Sequence, residues 1–258
     1  MRLTVVGCSG SVPGPDGAAS CYLVTADDGD REWRLLLDLG SGALGPLHRH
    51  TDPVALDAVL LSHLHPDHCL DLSGLHVLRR HGPAPATSGL PVWGPPGAAE
   101  RMARVHGVRQ AEPLQGMTWG ELVDRRPVRV GPFTITPYAV AHPVPAFGFR
   151  VEAAGRVLAY TGDTDSCPAL APLLAGADLA LVEAGFPAQE TTRGIHLTPA
   201  RAAEAALEAG GVGTLVLTHL PPWADADAAQ EEASALWAGP LTIAGPGRTY
   251  EVGAGPSR

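Results

Sequence analysis

The chain has 258 residues, 45% of them hydrophobic, and a formal net charge of −9 at pH 7. That size supports one large domain or two small ones, and the negative balance argues against tight, non-specific binding to long nucleic acid. All 18 basic residues are arginine, and without lysine neither Schiff-base chemistry nor a Walker-type phosphate loop is open to it.

The opening Met1-Arg2-Leu3-Thr4-Val5-Val6-Gly7 reads at once as a strand. No charged-then-apolar leader and no apolar stretch of membrane-spanning length is visible, so a cytoplasmic protein is expected. A turn-rich loop, Gly7–Pro15, leads to strands near Ser20–Thr25 and Arg34–Asp38 and a helix near Ala43–His50. Pro66 suits the first turn of a helix that continues over Cys69–Arg80. A strand near Val92–Trp93 and a helix near Ala98–Gly107 follow. The second half holds strands near Arg126–Val130, Phe133–Val140, Phe147–Glu152 and Arg156–Tyr160, a helix near Pro168–Leu174 and a strand at Leu179–Glu183. Thr198–Ala209 is Ala-rich, with Thr198 as N-cap and Pro199 in the first turn. The strand Thr214–Thr218, a helix near Asp225–Trp237 and strands near Thr242–Ile243 and Thr249–Val252 close the chain. No linker divides it. Mixed strands and helices in two similar halves predict an α/β (α+β) sandwich, two sheets face to face with helices outside. Cys8, Cys21, Cys69 and Cys167 show no CxxC spacing, and reduced thiols are expected.

Four apolar runs end in residues that can bind a metal. The densest is Ser62-His63-Leu64-His65-Pro66-Asp67-His68, directly after Leu56–Leu61; the others end at His142, Asp163 and His219. Imidazole and carboxylate are natural ligands for zinc and similar divalent ions. His63 and His65, two apart in an extended segment, project to one side and can reach one ion. The expected assignment gives His63, His65, His142 and Asp163 to one metal, and Asp67, His68, His219 and Asp163 to the other. Such a pair would hold a bridging hydroxide as nucleophile. Asp67 and His196 are the candidate catalytic groups, His196 supplying a proton to the leaving oxygen. A capping or surface role is the alternative for His196. His48, His50, His76, His81 and His106 lack strand-end placement and read as surface or core. Trp223 and Phe186 lie beside ligand-bearing segments, either as core packing or as stacking partners for a base.

The set His63-Leu64-His65-Pro66-Asp67-His68, His142, Asp163 and His219 resembles the metallo-β-lactamase superfamily over nearly the whole chain. The resemblance implies a four-layer αβ/βα sandwich with a dinuclear site between the sheet edges. Gly7-Cys8-Ser9-Gly10-Ser11-Val12-Pro13, Leu37-Asp38-Leu39-Gly40-Ser41-Gly42 and the late His196 look like the ribonuclease Z and phosphodiesterase branch. True β-lactamases lack the bridging aspartate, and the Ala141–Gly148 segment fits glyoxalase II-like thioesterases badly. Ribonuclease Z carries its tRNA-clamping arm between the positions of His142 and Asp163, a stretch too short here for one. The chain looks most like the actinobacterial atypical class II cyclic-nucleotide phosphodiesterases. That implies hydrolysis of 3′,5′-cyclic AMP, and of other cyclic nucleotides, to 5′-monophosphates, with two divalent ions (zinc, manganese or iron) and a homodimer. A small anionic phosphodiester is the expected partner. A tRNA-processing nuclease and a thioester or lactone hydrolase are the alternative readings.

Overall fold

The computed structural model describes residues 1–107 and 114–253. Its first half runs β1 (Arg2–Ser9), β2 (Ala18–Ala19), β3 (Cys21–Asp27), β4 (Glu32–Leu37), α1 (Leu44–Leu47), β5 (Ala58–Leu60), α2 (Pro66–Cys69), α3 (Leu72–His81), β6 (Leu90–Gly94), α4 (Ala98–His106) and β7 (Met117–Glu121). The second half runs β8 (Val128–Val130), β9 (Phe133–Ala139), β10 (Phe147–Ala153), β11 (Arg156–Tyr160), α5 (Leu170–Leu174), β12 (Leu179–Glu183), α6 (Pro199–Glu208), β13 (Leu215–Thr218), α7 (Ala226–Ser234), β14 (Leu241–Ile243) and β15 (Thr249–Glu251). Two mixed sheets result, in the orders β15-β1-β3-β4-β5-β6-β7, with β2 beside β1, and β14-β13-β12-β11-β10-β9-β8.

Three apolar clusters fix the layers. Leu3, Val5, Tyr22, Leu35, Leu60, Phe133, Phe149 and Tyr160 fill the space between the sheets. Leu36, Val59, Leu72, Leu75 and Met102 join the first sheet to its outer helices. Leu173, Val182, Ala203, Ala206 and Leu217 do the same for the second. Strands β5, β12 and β13 are buried on both faces, which is why they read as unbroken apolar runs. The four-layer αβ/βα sandwich expected from the sequence is therefore present. Among the described residues no helix is long and apolar enough to cross a membrane.

Local differences have local causes. The helix expected through Cys69–Arg80 is broken at Leu70–Asp71, because the Asp71 N–H bonds to the Leu39 carbonyl rather than along the helix. The helix expected over Ala43–His50 shrinks to Leu44–Leu47; Gly45 and Pro46 sit inside it, and both are poor helix formers. Strand β7 carries no alternating apolar signal in Met117-Thr118-Trp119-Gly120-Glu121. It forms by pairing parallel to β6 along its length, a tertiary contact that overrides weak propensity. Thr198 does cap α6, its Oγ1 accepting from Arg201 N at 3.3 Å.

Candidate metal centre

Strands β4, β5, β9, β11, β12 and β13 deliver their carboxyl ends to one rim, where α/β sheets usually bind ligands. Asp38 follows β4, the Ser62–His68 segment follows β5, His142 follows β9, Asp163 follows β11, Glu183 ends β12 and His219 follows β13. Close backbone packing sets these loops. A Cβ on Gly10 would drive into the carbonyl of His219, and one on Gly40 into that of Asp67. His219 (φ 60°) and Asp38 (φ 59°) both sit in the left-handed region, which costs non-glycine residues energy and is concentrated at functional sites.

All seven predicted ligands converge. His63, His65 and His142 form one cluster and Asp67, His68, Asp163 and His219 another, the candidate ligand atoms within each lying within 4.8 Å of one another. In the first, His65 Nδ1 stands 2.9 Å from His63 Nε2 and 3.2 Å from His142 Nε2. In the second, His219 Nε2 lies 3.3 Å from His68 Nε2 and 3.2 Å from Asp67 Oδ2. Asp163 touches both: Oδ2 is 3.6 Å from His63 Nε2 and 3.4 Å from His219 Nε2, while Oδ1 is 3.2 Å from His68 Nε2.

This donor set fits metal ions. Burial, aided by neighbouring histidines, holds His63 well below the ordinary imidazole range, and burial also lowers His65 and His142. Neutral rings keep a lone pair for a cation. Burial alone would raise Asp163, but His219, His68 and His63 outweigh it and hold the carboxyl well below its usual range. Asp67 is lowered in the same way, by His219 and His68 against burial. Asp163 Oδ1 is buried without a hydrogen-bond partner, a costly state that an ion at this cluster would relieve.

Outer partners orient the ligands. His142 Nδ1 donates to the Ile195 carbonyl at 2.9 Å, leaving Nε2 for the cluster. His68 Nδ1 bonds Asp38 Oδ2 at 2.8 Å; Asp38 and Asp163 overcome burial and raise the His68 pKa well above its usual value. Asp38, fully buried, also accepts from Ser62 N, Ser62 Oγ and Tyr160 Oη at 2.7, 2.8 and 2.7 Å. The Asp38→Asn variant is expected to weaken metal affinity roughly 10–100-fold, the usual effect of removing such a support, measured by competition with a chelating dye.

His196 stands beside the cluster rather than at the surface. Its Nδ1 is 2.9 Å from Glu183 Oε1 and 4.0 Å from Asp163 Oδ2. Burial disfavours its charged form, but Glu183 and Asp163 prevail and raise its pKa. Glu183, fully buried, also accepts from Thr164 N and Gly185 N, both at 2.8 Å. The loop that carries His196 and the Ile195 acceptor is clasped by Arg201. Its guanidinium reaches the carbonyls of Glu190 (2.8 Å), Thr192 (3.3 Å) and His196 (3.4 Å) and Asp165 Oδ1 (3.3 Å). Asp165 Oδ2 in turn accepts from Gly194 N at 2.7 Å. Arg201→Met is expected to speed hydrogen exchange in residues 190–196 and to lower turnover about ten-fold through misplaced His196 and Ile195, within the range for outer supports.

The role of Asp38, Glu183, Asp165 and Arg201 was not read from the sequence. The core alternative for Trp223 is overturned: its residue is 73% exposed and lines a cavity together with the half-buried Phe186. His76 is buried against His106, ring centroids 4.7 Å apart, away from the seven ligands as expected.

A family model described as "Beta-lactamase superfamily domain" matches residues 33–220. The uncharacterized protein Rv1339 of Mycobacterium tuberculosis is 40% identical over 257 residues, covering 98% of this chain and 92% of that protein. The probable metallo-hydrolase YhfI of Bacillus subtilis is 32% identical over 254 residues, covering 97% of this chain and all of YhfI. The crystal structure of YhfI, aligned at 30% identity over 96% of this chain and 98% of that one, superposes with a TM-score of 0.85. A ribonuclease Z of Mycobacterium bovis is 31% identical over 258 aligned positions, covering 86% of each chain. With a matching family model, relatives over nearly its full length and a strand-end cluster able to bind metal ions, the chain belongs to the metallo-β-lactamase superfamily and is a metal-dependent hydrolase.

Proposed function

We propose that the protein is a phosphodiesterase with two divalent ions, opening 3′,5′-cyclic nucleotides, cyclic AMP foremost, to 5′-monophosphates. His63, His65 and His142 would hold one ion, Asp67, His68 and His219 the other, and Asp163 would serve both. Such ions supply activated water near neutral pH and neutralise charge on the phosphoryl oxygens. The remaining work falls to the chain. Ile195 and Asp38 keep His142 and His68 facing inward. Glu183 fixes the Nδ1 proton of His196, leaving Nε2 as the nitrogen that exchanges a proton with the departing ribose oxygen. An alkoxide is a poor leaving group, so a proton delivered there lowers the barrier. Zinc, manganese and iron all suit this nitrogen- and oxygen-rich donor set.

The observation that carries this reading is His196: a half-buried imidazole locked to a buried carboxylate, 4.0 Å from the aspartate common to both clusters. A phosphodiester uses such a proton donor. Length supports a small substrate: residues 143–162 are largely consumed by the β10–β11 hairpin, with no room for a tRNA-clamping arm. Net charge argues the same way. The ribonuclease Z reading keeps the 31% identity to the M. bovis enzyme in its favour. The deciding experiment is a panel of cyclic AMP, cyclic GMP, bis-phosphodiesters, precursor tRNA, acyl thioesters and lactones. Turnover of cyclic mononucleotides above all others is expected. Robust cleavage of precursor tRNA with none of cyclic mononucleotides would overturn the proposal in favour of the nuclease, and thioester or lactone turnover alone in favour of an acyl hydrolase. A homodimer and a cytoplasmic setting remain part of the proposal, checked by light scattering and cell fractionation.

A further inference from the structure

A cavity of about 770 Å³ adjoins the cluster on the His196 side. Its walls come from the loop after β12 (Phe186, Pro187), the loop after β13 (Leu220, Trp223) and α7. Phe186 meets the His196 ring edge-on, centroids 5.0 Å apart, so the cavity begins where the proton would be delivered. Its ionisable lining has one sign. Besides His196 it holds Glu190, Asp225 and Glu232, and no arginine. Each carboxylate spends one oxygen on backbone: Glu190 on Thr192 N, Asp225 on Asp227 N and Ala228 N, Glu232 on Ala200 N. The second oxygen of each has no hydrogen-bond partner among the described residues.

We infer that this cavity is the base subsite, and that it favours bases bearing an exocyclic amino group while refusing a second phosphate. The inference rests on the phosphodiesterase reading above. An anionic diester is drawn to the cationic centre, and whatever hangs from it enters a space whose charge is opposite. A further phosphate deeper in the cavity would face three carboxylates and no arginine, His196 standing at the end next to the cluster. A flat, neutral ring gains contact with Phe186 and Trp223, since every base offers a face for stacking. An amino group on that ring supplies the donor that the carboxylate oxygens lack, and carboxylates accept such bonds strongly. The volume is that of an ordinary small-molecule pocket.

Two measurements separate this inference from the reading beneath it. Calorimetry compares binding of adenosine 5′-monophosphate and ribose 5-phosphate to the purified protein. Steady-state kinetics compares cyclic AMP, cyclic UMP, a cyclic dinucleotide and the base-free methyl p-nitrophenyl phosphate. The monophosphate should bind about ten-fold more tightly than ribose 5-phosphate, and Trp223→Ala should erase that margin, as expected for loss of one stacking contact. Cyclic AMP should exceed cyclic UMP in kcat/KM by a similar factor, and Glu232→Gln, which keeps the oxygen that caps Ala200, should narrow that ratio. The cyclic dinucleotide should be the poorest nucleotide substrate. If cyclic AMP is hydrolysed but both variants keep the wild-type ratios, or the dinucleotide matches it, the subsite falls and the phosphodiesterase stands. If no cyclic nucleotide is hydrolysed yet the monophosphate binds through Trp223, the subsite stands and the substrate reading falls. Equal binding of the two monophosphates overturns the subsite whatever the turnover.

Discussion

Replacing Asp163 with alanine should abolish hydrolysis and deplete metal from both positions at once. The reason is geometric: its carboxylate stands within 3.6 Å of His63 on one side and of His68 and His219 on the other. Among the seven ligands it is the one assigned to both clusters. Removal of an outer support costs roughly 10–100-fold in metal affinity, and loss of a shared ligand should exceed that. It also leaves His63, His68 and His219, all buried, without the anion that faces them. Elemental analysis and a metal-titration curve report the first effect, cyclic AMP turnover the second. Circular dichroism guards against simple misfolding, and Asp163→Asn, which keeps the shape and loses the charge, should fall between wild type and alanine in metal content. A variant that stays fully loaded would show that Asp163 is not the common ligand.

His196→Ala should behave differently. Turnover of cyclic AMP should fall by about 10²–10⁴-fold, the usual worth of a positioned acid, while metal content stays at the wild-type level. Because the proton matters only as the leaving oxygen departs, kcat and kcat/KM should fall together. The defect should shrink on methyl p-nitrophenyl phosphate, whose p-nitrophenolate leaves without help. Glu183→Gln should give a milder version of the same pattern, since it weakens the bond that fixes Nδ1. Loss of metal from His196→Ala would instead make the histidine a ligand, as its place beside His142 and Asp163 also permits.

The centre was legible because its rule is simple: a buried apolar strand that ends in an imidazole or carboxylate. His142 follows an apolar run on the half-buried strand β9, and Asp163, His219 and the Ser62–His68 segment all obey the rule. So do Leu35-Leu36-Leu37-Asp38 and Leu179–Glu183, and the same rule applied to them would have found both outer carboxylates. In the sequence alone, one such acid looks like an ordinary strand end, because its partners lie far away along the chain. Asp165 and Arg201 were beyond sequence reasoning. Their value lies in the loop they close, over 36 positions of separation, and no local pattern encodes it. Trp223 deceived for a physical reason as well: large aromatics are usually buried, and this one instead forms a wall of an open cavity. The glycines at positions 10 and 40 carried a family resemblance as letters; the structure gives them a cause, the space needed by the carbonyls of His219 and Asp67.

The most direct test of the account is the stoichiometry of metal in protein purified without added ions and then dialysed against trace zinc, followed by elemental analysis in parallel with cyclic AMP hydrolysis. Activity should climb with metal and level off at two equivalents per chain, and a chelator should remove both together. Full hydrolytic activity in protein carrying no metal, or saturation at one equivalent, would contradict a paired centre built on these seven side chains.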